Sequence, residues 1–113
     1  MNLLEETLYR LSRNDKTWDD VMFVRCGLAT FTPEQAKPML DFEYDNGYGH
    51  QEVDDSLLIV GRDWWMERHE YDGSEWWEFK CMPKKTDVTD YKFKTFKSRD
   101  WRKPEEYDDY IGA

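Results

Sequence analysis

Three side chains have the types and spacing to do chemistry: Glu67, Glu78 and His69. They meet if the stretch from Trp64 to Cys81, WWMERHEYDGSEWWEFKC, is one antiparallel hairpin. At its centre lies Asp72-Gly73, the kind of pair favoured by two-residue type I′ turns, whose twist matches that of the flanking strands. Such a turn sets Tyr71 opposite Ser74, then Glu70 opposite Glu75, His69 opposite Trp76, Arg68 opposite Trp77, Glu67 opposite Glu78 and Met66 opposite Phe79. Two carboxylates directly across a ladder can separate their pKa values for acid–base work or collect a cation. They also repel, so something must offset them. Three offsets stand open: Lys92 or Lys94 from a neighbouring strand, a basic partner, or a catalytic or metal-binding role. The last lacks its companions, because His50 and His69 are the only histidines and no serine or cysteine sits in a nucleophile motif. The expectation is no catalytic residue, no metal ligand, no cofactor and no enzyme.

Alternation along the strands separates two faces. One carries Trp64, Met66, Trp77, Phe79 and Cys81, with Arg68, Glu70 and Glu75 toward the tip, and suits a core. The other carries Trp65, Glu67, His69, Trp76, Glu78 and Lys80, an aromatic and acidic mixture. The expected partner-binding set joins this second face to the tip: Trp65, Glu67, His69, Glu70, Asp72, Glu75, Trp76 and Glu78. Tryptophan is a favoured anchor at protein interfaces. A competing surface is Tyr91, Lys92, Lys94, Lys97 and Arg99, where rings and bases interleave as they do on single-stranded nucleic-acid grooves. Against it, lysines also guard strand edges, and a negative chain repels phosphate. Asp41, Glu43, Asp45 and Glu52 echo positions 1, 3, 5 and 12 of a calcium loop, but the glycine falls at position 7 and Glu43 is long for its place. A solvated acidic turn is the better reading.

The 113 residues carry a net charge of -9, unevenly spread. From Asp41 to Glu78 twelve acids face only Arg62 and Arg68, a charge of -10. From Lys80 to Lys103 nine bases face three acids, a charge of +6. Such polarity can steer a charged partner, although surface charge also serves solubility alone. The length suits a single domain over 1–113, and an aromatic fraction of 17% is enough to build a core without staples. Cys26 and Cys81 make no CxxC spacing, and MNLLEETLYRL shows no signal or membrane span, so a reduced, cytoplasmic setting is expected.

These residues need a scaffold to position them. Leu3, Leu4, Leu8 and Leu11 predict an amphipathic helix over residues 2–13, with Glu5, Glu6 and Arg10 on its solvated side. Thr17, followed by Asp19 and Asp20, predicts a short second helix ending near Gly27, although Val21-Met22-Phe23-Val24 also permits a strand. Thr32-Pro33-Glu34-Gln35 has the cap, the proline and the glutamine of a helix start, with Pro38 stopping it. Strands are predicted at 40–44, 57–60 and 88–97, with a turn at 45–49 and a loosely held tail at 99–113. The expected fold is α+β: a small antiparallel sheet of three to five strands centred on the hairpin 64–81, packed with the N-terminal helix and one or two short ones.

The run GRDWWMERHEYDGSEWWEFKCMP, with YDNGYG upstream, resembles small acidic proteins encoded by bacteriophages, prophages and other mobile elements, over roughly the middle half of the chain. That group brings no catalytic residues with it. What the resemblance implies is company: short acidic proteins of such elements often bind and block a host machine, anti-CRISPR proteins that act as negatively charged decoys of DNA among them. The leading expectation is a non-enzymatic inhibitor in the bacterial cytoplasm that binds a basic surface on a host protein, such as a CRISPR effector or another defence nuclease. The alternatives are single-stranded nucleic-acid binding through residues 80–103, or a homo-oligomeric structural or accessory phage protein that uses the aromatic face as a dimer interface.

Overall fold

The computed structural model describes residues 1–47, 49–87 and 95–98. The chain divides into two units, Met1–Met82 and Pro83–Ala113. The first holds helix α1 (Leu3–Arg13), a 3-10 turn (Trp18–Asp20), strands β1 (Phe23–Cys26) and β2 (Ala29–Phe31), helix α2 (Pro33–Met39), and strands β3 (Leu58–Val60), β4 (Trp64–Tyr71) and β5 (Ser74–Cys81). In the second, residues 83–87 and 95–98 are described and contain no helix or strand. The predicted strand at 88–97, apart from its last three residues, and the tail at 99–113 lie outside the described residues.

The α+β expectation holds. All five strands form one antiparallel sheet in the order β2-β1-β3-β4-β5, with α1 packed on β5 and α2 on β1 and β2. One register row crosses the whole sheet: Phe31, Val24, Ile59, Met66 and Phe79. With Trp64, Trp77, Leu3, Leu11, Ala36 and Leu40 it makes the core, so the helices lie on a single face. The next row, Thr30, Arg25, Leu58, Glu67 and Glu78, points the opposite way. Antiparallel sheets tolerate one such solvated face. No helix among the described residues is long and apolar enough to cross a membrane.

The hairpin has the predicted register from Trp64↔Cys81 to Tyr71↔Ser74, and Asp72 (φ 51) and Gly73 (φ 86) both take the positive φ of a type I′ turn. The start of α2 also stands as predicted, with Thr32 and Gln35 in a reciprocal capping box, and α1 falls within the predicted 2–13 with Asn2, a cap not read from the sequence, accepting from Glu5 N. Three other expectations need correction. After Trp18–Asp20 there is no helix, because Val21–Cys26 leads into β1, paired on both sides, and Gly27 belongs to the turn toward β2. Pro38 lies inside the last turn of α2 rather than ahead of it. Residues 40–44 form no strand: the Leu40 N–H is consumed by α2 carbonyls, and a lone bridge pairs Asn2 with Glu43.

The buried stripe of α1 is Leu3, Thr7 and Leu11, while Leu8 is exposed. Thr7 is accepted in the core because its hydroxyl donates to Leu3 O (2.7 Å) and accepts from the Trp77 indole (2.9 Å). Glu6, expected in solvent, accepts from the Tyr44 hydroxyl and from Arg68 Nη1 (3.1 Å). Burial and the bond to the Glu6 carboxylate push the Tyr44 phenol up to about 12. The fold therefore favours the neutral phenol. Stability from this group is full below about pH 10, the ordinary tyrosine value, and is lost as pH rises through 12. Urea denaturation should lose on the order of 2 kcal/mol more across that window in wild type than in Tyr44→Phe. Equal losses in both would place the alkaline sensitivity elsewhere.

Candidate protein-binding face

The solvated side of the β4–β5 hairpin is assembled by strand alternation alone. It brings Trp65, Glu67, His69, Trp76 and Glu78 together, all half-buried, as predicted. Glu67 is its hinge point. The Trp65 indole N–H donates to Glu67 Oε1 at 2.8 Å, and His69 Nε2 lies 2.9 Å from Glu67 Oε2. Both carboxylate oxygens are thus held, and the bonds from Trp65 and then His69 keep the Glu67 carboxyl below the usual carboxylate range. His69 leans on Trp76 with ring centroids 6.3 Å apart. The result is a connected line, Trp65–Glu67–His69–Trp76.

Glu78 stands across from Glu67 in the ladder, and its carboxylate makes no hydrogen bond or ion pair with any described residue. In the same row Arg25 is three strands from Glu78 and two from Glu67, with its Nε donating to Gly27 O. Lys80 adds only a through-space attraction to Glu67. Lys92 and Lys94, the lysines that the sequence offered as an offset, lie outside the described residues with Tyr91 and Arg99; Lys97 is exposed. At the tip, Asp72 is exposed, and Glu70 accepts from Gly73 N at 2.9 Å, closing the turn.

Glu75 is elsewhere. Only 2% exposed, it accepts from Arg68 Nη2 (2.8 Å), Glu52 N (2.7 Å) and Val53 N (3.3 Å), so it anchors the 46–53 loop from inside. That loop crosses the tip: the Asn46 amide pairs with both main-chain groups of Glu75, and Gly47 N donates to Gly73 O. The sequence-level set therefore divides into seven surface residues and one interior residue. The four acids of the calcium-loop echo do not converge as carboxylates: Asp41 accepts from Asn2, Glu43 pairs with the N-terminal ammonium, and Glu52 accepts from the main-chain N–H of Asp45. Among the described residues no three His, Cys, Asp or Glu side chains gather as a metal site.

What sequence reasoning missed is the apolar flank. Val60 is the register partner of Trp65, Phe23 of Val60, and Leu58 of Glu67, so three half-buried apolar side chains extend the face across β3 and β1. The signal was alternation within VMFV and LLIV, legible only once those strands were known to adjoin β4. Chemically, the arrangement offers aromatic and aliphatic contact beside carboxylates, and among the described residues the side-chain contacts of Glu67 and His69 are with each other, Trp65 and Trp76. Comparisons with protein-family models, curated proteins and solved structures found no match.

Proposed function

We propose that this chain is a non-enzymatic binding protein whose outer hairpin face docks on a basic surface of another protein. One observation carries the reading: Glu67 and Glu78 share a face with two half-buried tryptophans, Glu70 and Asp72 are exposed near the turn, and none of the four is ion-paired with a lysine or arginine among the described residues. Like charges set across a ladder cost stability, and a cationic partner would recover that cost. Trp65 and Trp76 would supply the anchors that such interfaces favour. The resemblance of the hairpin string to mobile-element proteins extends the proposal to the partner's class: a nucleic-acid channel of a host defence nuclease, such as a CRISPR effector, blocked in the bacterial cytoplasm by a DNA-like acidic surface.

The test is a triple charge reversal, Glu67→Lys with Asp72→Lys and Glu78→Lys, all at surface positions. Tagged wild type and variant, matched for far-UV circular dichroism, are presented to purified CRISPR effectors and to nuclease-treated bacterial lysate. Wild type is expected to retain an effector or defence subunit, and the variant to lose at least about tenfold in affinity, on the order of 1.4 kcal/mol. Undiminished binding by the folded variant would move the interface off this face. Retention of nucleic acid alone would transfer the function to the basic stretch 80–103.

A further inference from the structure

On the outward side of the sheet, the positions around β3 are self-complementary. One register row runs Phe23, Val60, Trp65, an aliphatic side chain between two aromatics, and the next runs Arg25, Leu58, Glu67, an aliphatic side chain between a cation and an anion. Because β3 lies between β1 and β4, and neighbouring strands are spaced about 4.8 Å apart, the outer members of each row stand equally far to either side of the central one. Phe23, Leu58, Val60 and Trp65 are half-buried, and both helices pack on the other face.

The two charges of the second row are available. Arg25 is exposed, holds Gly27 O with its Nε at 3.1 Å and makes no ion pair among the described residues. Glu67 has one bond on each oxygen, from Trp65 and His69, and a carboxylate has about four lone-pair sites in all. Within one chain Leu58 stands between Arg25 and Glu67.

We propose that this strip is a homodimer interface, in which two copies stack their outward faces about a two-fold axis running along β3. The axis exchanges β1 with β4. It seats Leu58 and Val60 on their own counterparts, sets Phe23 over Trp65 of the second copy and sets Arg25 over Glu67 of the second copy, with the reverse contacts following by symmetry. Stacked sheets sit about 10 Å apart with their strands within about 30° of each other, a gap that an arginine and a glutamate span together. A two-fold axis across the strands would instead lay Glu67 on Trp65 of the second copy and leave Arg25 and Glu67 without an opposite charge. The inference goes beyond the host-binding reading and does not rest on it. Only Trp65 and Glu67 are common to both surfaces, and Glu70, Asp72, Trp76 and Glu78 lie outside the strip.

The test is sedimentation velocity on the isolated full chain, from micromolar to near-millimolar concentration, where a monomer–dimer equilibrium is expected. Arg25→Glu places carboxylate against carboxylate at both symmetric contacts and should weaken the dimer at least about tenfold. Combining Arg25→Glu with Glu67→Arg restores opposite charges at both contacts and should return most of the affinity, which loss of folding in the single variant could not explain. Val60→Lys, at the centre of the strip, should give monomer. Wild type that stays monomeric throughout would overturn the dimer. An unweakened dimer in Arg25→Glu, or a folded exchange variant as weak as Arg25→Glu alone, would overturn the pairing of β1 with β4. If the exchange variant fails to fold, Arg25→Glu and Val60→Lys decide, and a dimer intact in either overturns the interface. The measurement contains no host protein, so its outcome is read separately from the host-binding test.

Discussion

Arg68→Ala should lower the unfolding free energy by about 3–5 kcal/mol, the usual cost of removing one partner from a buried ion pair. That is a large share of the stability of a unit this size, at roughly 0.05–0.15 kcal/mol per residue. Arg68 is 6% exposed and reaches three elements at once: Glu6 on α1 through Nη1, and Tyr44 and Glu75 through Nη2. Its guanidinium also lies 4.9 Å from the Trp77 ring centre. Those contacts raise its pKa in spite of desolvation, which acts the other way. Removing it leaves the fully buried Glu75 carboxylate without its cation and frees the loop whose Glu52 and Val53 amides that carboxylate holds. Urea denaturation at neutral pH measures the loss. A combined Arg68→Met, Glu75→Gln, Glu6→Gln variant should lie closer to wild type than Arg68→Ala, because no uncompensated charge remains inside. A loss below about 1 kcal/mol for Arg68→Ala would mean that water reaches the site and screens it.

Gly61→Ala should cost about 2 kcal/mol or more, toward the upper end of overpacking penalties. Gly61 sits where β3 turns into β4, and an added Cβ would lie 2.0 Å from Trp64 Cε2 and 2.2 Å from its indole nitrogen. The indole has nowhere to go. It is buried, stacked on Phe79 at 5.4 Å, while Gly61 N is tied to Trp64 O at 2.9 Å. The loss should appear in chemical denaturation together with a red-shifted tryptophan emission, as Trp64 is pushed toward water. Trp64→Leu in the same chain removes the clash, so the double variant should be less destabilised than the two single costs added together. Strict additivity would show that the close approach of Gly61 to Trp64 carries no energetic coupling.

The hairpin was legible residue by residue because its information is local. Asp72-Gly73 sets the turn, the turn sets the register, and the pleat then assigns every side chain from Trp64 to Cys81 to a face. The helix start at Thr32 was legible for the same reason, since caps act within three or four residues of themselves, and α1 was legible from the spacing of its leucines. At Val21–Cys26 local signals conflicted: Thr17 and two aspartates argued for a helix, and β-branched residues for a strand. Pairing with β2 and β3 decided the outcome, and β3 lies far along the chain.

The fate of individual charges was beyond local reading. Glu70 and Glu75 are register partners of the same residue type, yet Glu70 stays at the surface and Glu75 is sealed inside. The difference comes from the 46–53 loop, which brings two amide N–H groups to Glu75, and from Arg68 two residues along the core face. Glu6 was likewise drawn from the solvated side of a helix to the edge of the core, half-buried, by a cation sixty-two residues away. By itself the sequence determined which side chains share a face, because alternation is a property of the backbone. Only the tertiary structure decided which of those faces meets water and which carboxylates remain free for a partner, because burial depends on what the rest of the chain lays over them.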